Sequence, residues 1–176
     1  MARIFGYIAS SLDGFIVDAE GSLKWLYEAG VELGEHHYNN FIKRIATVVM
    51  GRATYDWVHN EGVASPYPRQ RTIVVTSHPL DAPPEIEAWG KGVDALIAEL
   101  RALDNGDVWM VGGGQLQMAF IKRGALDEIE IYLMPKLIGG GVPLFPATGV
   151  KASPRLLSAK ELKGGGVRLH YAFMDA

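Results

Sequence analysis

The sequence contains no cysteine, although it is 176 residues long. This absence excludes disulfide bonds, thiolate metal ligands and cysteine nucleophiles together. No apolar run approaches the roughly 18 residues that a membrane-spanning helix needs. A basic excess is also missing, because the formal net charge is −3. We therefore expect neither nucleic acid nor a membrane as a partner.

The residues that are present are typical of a soluble globular protein. The hydrophobic fraction is 48% and the charged fraction is 21%, which together with the length predicts a single domain over residues 1–176. The first ten residues, MARIFGYIAS, hold too short an apolar run for a signal peptide and predict a strand instead. We expect a cytoplasmic protein.

Short β-branched runs alternate with segments of helical spacing as far as residue 124. The predicted strands are residues 4–9, 47–50, 71–76 and 108–111, and the predicted helices are residues 31–45, 52–58, 93–103 and 114–123. Such alternation indicates an α/β fold with a mostly parallel sheet that is covered on both faces. Residues 61–70 predict a loop, and residues 126–133 predict a half-exposed strand. Residues 155–162 and 167–174 predict an antiparallel hairpin.

The most informative stretch is DVWMVGGGQLQMAF, residues 107–120. A buried strand ends at Gly112, Gly113 and Gly114, and a helix begins immediately. The start of a helix offers unpaired backbone N–H groups and a positive dipole end, and glycines let a phosphate approach them. Taken alone, this pattern also fits an ordinary tight turn, because the third glycine of a dinucleotide fingerprint is replaced by Gln117.

Two further strand ends carry groups that suit an anion. Arg52 and Thr54 follow one buried strand, and Thr76, Ser77 and His78 follow another. Each feature has a simpler explanation, a surface cation for Arg52 and turn residues for Thr76 and Ser77. Because the carboxyl ends of parallel strands meet at one edge of a sheet, their coincidence favours a nucleotide site there.

Two acids are candidates for the chemistry. Asp13 follows the first strand in a Ser-Leu-Asp-Gly turn, where turn formation is the alternative role. Glu35 lies at the start of a predicted helix, where interaction with the helix dipole is the alternative. No metal site is expected, because His36 and His37 are adjacent and point to different helix faces.

Five stretches together resemble the dihydrofolate reductase superfamily. They are SLDG at 11–14, VMGRxT at 49–54, IVVTS at 73–77, VGGG at 111–114 and EIYL at 130–133. The nearer resemblance is to the C-terminal reductase domain of the bifunctional riboflavin-biosynthesis deaminase/reductase, and above all to the stand-alone relatives of that domain. It covers about residues 2–174.

The resemblance implies a three-layer α/β/α fold with an eight-stranded, mostly parallel sheet that binds NADPH across its carboxyl edge. Arg52 and Ser77, with Thr76 or His78, would hold the adenosine 2′-phosphate, and Thr54 with the backbone of Ala53 would meet the pyrophosphate. The family's cis peptide bond would fall between Gly112 and Gly113. The remaining implied cofactor-binding residues are Ala9 and Ile16 at the nicotinamide, Gly51, Val111, Gly112, Gly113, Gly114, Gln115 and Leu116.

The implied activity is NADPH-dependent hydride transfer to a small polar heterocycle or sugar. It would resemble that of 5-amino-6-(5-phosphoribosylamino)uracil reductase or of dihydrofolate reductase. The two branches nominate different acids, Asp13 in the riboflavin-pathway reductases and Glu35 in dihydrofolate reductases. An NADPH-binding protein or sensor without turnover is the alternative, and the resemblance also implies a homodimer.

Overall fold

The computed structural model describes residues 1–60 and 67–173, with every side chain in those ranges except those of Glu35 and His36. The strands are β1 (Ile4–Ser11), β2 (Phe15–Val17), β3 (Ile45–Gly51), β4 (Arg71–Val75), β5 (Ile86–Trp89), β6 (Asp107–Gly112), β7 (Glu128–Met134), β8 (Val142–Pro143), β9 (Arg155–Glu161) and β10 (Val167–Ala172). The helices are α1 (Lys24–Tyr27), α2 (Glu35–Arg44), α3 (Arg52–Asn60), α4 (Val93–Arg101) and α5 (Gly114–Ile121).

Eight strands form one sheet in the order β5-β4-β3-β6-β1-β7-β10-β9. Neighbours from β5 to β7 are parallel, whereas β10 is antiparallel to both β7 and β9. The short strands β2 and β8 form a separate antiparallel pair. The predicted mostly parallel, eight-stranded sheet with an antiparallel C-terminal hairpin is therefore confirmed.

Successive residues of each buried strand point to opposite sides of the sheet. Both faces are therefore apolar, and helices cover both. On one side Val49 and Met110 pack with Leu100 of α4 and Phe120 of α5. On the other side Val48 and Met50 pack with side chains of α2 and α3. Full burial of a side chain such as Leu100 or Phe120 contributes about 1.5–3 kcal/mol. These two cores fix the helices against the sheet, and thereby the positions of the strand ends.

Three sequence predictions need correction. α2 begins at Glu35 and not at residue 31, because Gly34 has a φ of 78°, which breaks the helical path. β7 is largely buried and not half-exposed. β5 was not predicted at all, and it pairs in parallel with β4.

The predicted loop at 61–70 falls partly, at residues 61–66, outside the described residues, as does Met174 at the end of the predicted hairpin. Within the described ranges, no helix is both long and apolar enough to span a bilayer.

Candidate functional site

The carboxyl ends of β3, β4 and β6 open into one cleft of about 540 Å³. Its lining includes eight residues that the sequence predicts for the cofactor, namely Gly51, Arg52, Ala53, Thr54, Gly113, Gly114, Gln115 and Leu116. Apolar walls come from Val75, Val93, Ala119, Val142, Pro143 and Pro146. The volume lies in the range of small-molecule sites, roughly 300–1,000 Å³. The cleft thus combines the starts of α3 and α5 with an apolar wall against which a planar ring can pack.

The start of α5 is open to an anion. Gly113 is its N-cap residue and makes no side-chain hydrogen bond to the first turn, so the amide groups that follow have no capping side chain. Gly112 has a φ of 148°, which favours glycine, and the peptide bond between Gly112 and Gly113 is cis as expected. A Cβ on Gly113 would lie 3.4 Å from Oγ1 of Thr54. The two strand ends therefore meet closely at this point.

Arg52 brings a cation to the cleft at the start of α3. Its Nε donates to Asp56 over 2.7 Å, and its Nη1 donates to the carbonyl of Pro79 over 3.0 Å. A guanidinium has five N–H donors, so three have no acceptor among the described residues. Because 39% of the side chain is exposed, these donors can reach a ligand. The bond to Pro79 holds the guanidinium beside the turn that follows β4.

That turn contains the other predicted phosphate contacts. Oγ1 of Thr76 accepts from the backbone N–H of His78 over 3.1 Å, and Ser77 Oγ lies 3.1 Å from His78 Nδ1. Ser77 and His78 are exposed. Among the described residues the lining of the cleft includes Val75 but not Thr76–His78, and Arg52 is bonded to this turn at Pro79, so the predicted role of the three residues stays a prediction.

Four other predicted residues lie outside the lining of the cleft, as far as the described residues show: the buried Gly112 at the end of β6, and Ala9, Ile16 and Val111. Ala9 packs against the buried group of Trp25, Tyr132 and Met134. Ile16 packs on the core under α4 and α5. Val111 packs on the aromatic core under α2 and α3.

One wall of the cleft was missed by sequence reasoning. Residues 142–146, which we call the strap, cross the start of α5. A Cβ on Gly114 would lie 2.7 Å from the carbonyl oxygen of Pro143 and 2.8 Å from Cδ of Pro146. Gly114 is therefore needed for contact with the strap as well as for access by a ligand. The repeated glycines at 139–141 were the available signal, because they mark a sharply turning segment.

Asp13 anchors the chain that leads into the strap. Its carboxylate accepts hydrogen bonds from Ser11 Oγ at 2.7 Å, from the N–H of Gly139 at 2.8 Å and from the N–H of Ile138 at 3.1 Å. The bond from Ser11, with help from the two backbone groups, lowers the pKa of Asp13 below its ordinary value. Asp13 is thus an ionised hydrogen-bond acceptor at neutral pH, and its predicted catalytic role stays a prediction.

The other candidate acid, Glu35, has its backbone at the first position of α2. Its side chain lies outside the described part of the structure, so its catalytic role also stays a prediction.

A second polar group, missed by sequence reasoning, lies between α2 and the sheet. His37 Nε2 is 2.5 Å from Glu130 Oε2, and Arg168 Nη1 is 2.8 Å from both ring nitrogens of His37. Beside them, the hydroxyl of Tyr7 donates to that of Tyr132 over 2.9 Å. Burial, aided by the bond to Tyr132, raises the pKa of Tyr7. No local signal links these residues, because they come from four separate elements.

Comparisons with known proteins show the family of the chain. The family model for the RibD C-terminal domain matches residues 3–170. The chain belongs to this family. One relative, the uncharacterized Bacillus subtilis protein YwjB, is 35% identical over 166 residues, which is 94% of this chain and 94% of YwjB. The resemblance to the riboflavin-pathway reductases and their stand-alone relatives is therefore confirmed.

Solved structures with a similar fold were also found. A Shewanella sp. PV-4 protein, named as a riboflavin biosynthesis protein, matches with a TM-score of 0.87 and 27% identity over 99% of this chain and 100% of its own. Dihydrofolate reductase from Enterococcus faecalis, solved with NADP(H) and RAB-propyl, matches with a TM-score of 0.68 over 98% of this chain and 97% of its own. At 21% identity, this second likeness shows the fold alone.

Proposed function

We propose that the protein is an NADPH-dependent reductase that adds hydride to a C=N or C=O bond of a small polar heterocycle or sugar. The cleft at the carboxyl ends of β3, β4 and β6 carries this proposal. It unites the uncapped start of α5 with the cation of Arg52, which is the combination that a phosphorylated nucleotide requires.

The residues of the cleft fit the parts of NADPH. The amide groups of Gln115 and Leu116 at the start of α5 would receive the pyrophosphate, together with the hydroxyl of Thr54. The remaining donors of Arg52, beside the Thr76–His78 turn, would hold the 2′-phosphate. The apolar walls would cover the adenine. When bound, the cofactor would supply the hydride.

The comparisons support the reductase class. The chain's family is named after RibD, and a protein of the same fold is a dihydrofolate reductase solved with NADP(H). Fold alone does not fix activity. The use of NADPH and the class of acceptor are therefore proposed from the residues of the cleft.

A two-step assay tests the function. NADPH is first titrated into the protein by fluorescence, and its oxidation at 340 nm is then followed with 7,8-dihydrofolate and with 5-amino-6-(5-phosphoribosylamino)uracil as acceptors. We expect saturable binding, and oxidation that depends on the acceptor. Absence of NADPH binding would refute the proposal. Tight binding without oxidation across a wider acceptor panel would favour the alternative, a sensor.

Arg52→Ala tests the placement of the 2′-phosphate. We expect the dissociation constant for NADPH to rise about tenfold, since a charge-assisted hydrogen bond contributes about 1.5–3 kcal/mol and partial exposure reduces this. The constant for NADH, which has no 2′-phosphate, should hardly change. Arg69→Ala, an exposed arginine before β4, is the matched control. Equal losses of NADPH and NADH affinity would contradict the placement.

A further inference from the structure

A second cavity, of about 440 Å³, lies between the start of α2 and the sheet. It is lined by Tyr7, Leu33, Gly34, Tyr38 and Asn39. Its floor is aromatic, because the ring of Tyr7 lies 4.6 Å from Phe41, 5.0 Å from Tyr132 and 6.0 Å from Tyr38. A planar ring would find contact area there with little loss of side-chain entropy.

This cavity adjoins the expected nicotinamide position. β1, which carries Tyr7, lies directly beside β6, whose end forms the cofactor cleft. Ala9, expected at the nicotinamide, is two residues further along β1 on the same face as Tyr7. Both pack on the group that contains Tyr132. An acceptor in the cavity would therefore lie next to the reacting end of the cofactor.

His37 and Asp13, the other candidates for supplying a proton, already have hydrogen-bond partners, whereas Nε of the neighbouring Arg168 has none among the described residues. The guanidinium of Arg168 can only donate, so one ring nitrogen of His37 accepts from it, while Nε2 donates to Glu130. Both nitrogens of His37 are thus occupied. Asp13 accepts three hydrogen bonds as a carboxylate and has no proton to give. Neither His37 nor Asp13 is therefore placed to supply the proton.

The hydroxyl of Tyr7 differs from these groups. It belongs to a residue that lines the cavity, and its oxygen lies 2.9 Å from the hydroxyl oxygen of Tyr132. Hydroxyl hydrogens rotate to suit their partners. Tyr132 can therefore donate to Tyr7 when Tyr7 turns its own hydrogen toward a ligand. Tyr38 also lines the cavity, but it sits at the exposed rim.

We propose that Tyr7 is the catalytic acid of the reductase, whose hydroxyl gives a proton to the nitrogen or oxygen of an acceptor bound in this cavity. The inference rests on the proposed function and deepens it. His37, Glu130 and Arg168 act as positioning residues, since His37 stacks beside Tyr7 with ring centroids 6.2 Å apart.

The proton balance is simple. Addition of hydride to the carbon of C=N or C=O converts the double bond to a single bond and leaves an electron pair on the heteroatom. The O–H bond of Tyr7 breaks as the new N–H or O–H bond forms, and water later returns a proton to the phenolate. The raised pKa of Tyr7 keeps its proton in place at neutral pH, and a bare alkoxide or amide anion is basic enough to take it.

The binding test uses 5,6-diaminouracil as a planar probe and calorimetry in saturating NADP⁺, so that no turnover is needed. We expect the probe to bind the wild-type protein, and its dissociation constant to rise about three- to tenfold in Tyr7→Phe, the effect of one lost hydrogen bond. Tyr67→Phe, which removes a hydroxyl beside Trp109 outside the cavity lining, should match wild type. NADP⁺ affinity should be the same in all three proteins.

The turnover test compares the same variants in the acceptor assay. Tyr7→Phe should lower kcat by about 10²-fold or more, as loss of a general acid does, with an unchanged KM for NADPH. Equal probe binding by Tyr7→Phe and wild type, an equal kcat, or no probe binding by a protein that binds NADP⁺ would each overturn the inference. Failure of wild-type protein to bind NADP⁺ would instead overturn the proposed function, and this inference with it.

Discussion

The carboxylate of Asp13 connects two parts of the chain that are 125 residues apart. It holds the backbone of Ile138 and Gly139 against the turn after β1, and the N–H of Leu12 adds a bond of 2.8 Å to the carbonyl of Lys136. A group that accepts three hydrogen bonds in its charged form is stabilised in that form. At this position the side chain therefore acts first as a structural anchor.

Asp13→Asn should lower the thermal unfolding midpoint at neutral pH, because the amide cannot accept from all three donors. The folded pKa of Asp13 is lowered from 3.8, so its stabilisation is complete above that value and is lost as pH falls through the lowered pKa. The difference from wild type should be constant from about pH 7 to about pH 5 and shrink below about pH 4. Midpoints measured by circular dichroism across this range check it.

The control is Asp104→Asn, since Asp104 is exposed and surface substitutions change stability little. If the difference in unfolding midpoint between wild type and Asp13→Asn grew as the pH fell, the pH dependence would be opposite to the expected one and would refute the anchoring role.

Residues 128 and 130 show why sequence reasoning misjudged burial. Two glutamates alternating with apolar residues predict a strand with one wet face. In the structure Glu128 pairs with Arg3 and His170, and Glu130 pairs with His37 and Arg168. Paired carboxylates can be buried, and the partners come from distant elements. Periodicity within one strand carries no information about them.

Among the elements, the strap determines the shape of the cleft. It begins with β8, which pairs with β2, and the N–H of Leu144 donates to the carbonyl of Gly14 over 2.8 Å. At its other side it touches the first residue of α5. The strap therefore links the turn of Asp13 to the start of the helix that offers its amides to a ligand.

Gly114→Ala should destabilise the protein by about 1–3 kcal/mol, the usual cost of overpacking, because the new Cβ would overlap the carbonyl of Pro143. NADPH affinity should fall as well, since the strap must move. Urea unfolding and NADPH titration measure the two effects.

Gly140→Ala is the matched control for that substitution. A Cβ at Gly140 meets nothing within 4 Å among the described residues, and Gly140 has no positive φ. If Gly114→Ala and Gly140→Ala were equally stable, the close contact between Gly114 and the strap would be contradicted.

Strands and helices with strong local patterns were predicted well, and those that depend on neighbours were not. β4 and α4 match their predicted ranges within two residues, because β-branched runs and amphipathic spacing specify them locally. β5 has only four residues, and its place is set by pairing with β4. The strap has no regular pattern, so its contact with α5 was invisible in the sequence.

At the scale of the whole molecule, the alternation of strands and helices indicated the parallel sheet, and the family resemblance supplied its eight strands and the location of the cleft. Of the eight predicted residues that line the cleft, four were indicated because they follow strands that end at the same edge, and the resemblance added Gly51, Ala53, Gln115 and Leu116. The cavity beside Tyr7 could not be found in this way, since it depends on how α2 packs across β1 and β7.

The homodimer stays a prediction, and within the described residues the edge of the sheet at β9 is the place where we expect a second copy to pair. β9 pairs with β10 on one side and is the last strand in the order. Leu156 and Leu157 are 49% and 37% exposed. An edge strand with exposed leucines offers unpaired backbone groups and apolar area to a second chain. β7, in contrast, is enclosed by β1 and β10, so it offers no free edge to a second copy.

We propose that two copies associate through β9. Leu156→Lys should shift the protein from dimer to monomer, because a charge would have to be buried in the interface. Sedimentation equilibrium at micromolar concentration gives the mass. Lys160→Leu, an exposed position on the same strand, should keep the dimer. A wild-type monomer, or a dimeric Leu156→Lys, would contradict the proposal.

The strap also joins the cleft to the strand that carries Tyr7. It is tethered to the turn that ends β1, the strand of Tyr7, and it rests on the first residue of α5. A shift of the strap would therefore displace both the turn after β1 and the start of α5, and we expect binding in the cleft to alter binding in the cavity beside Tyr7.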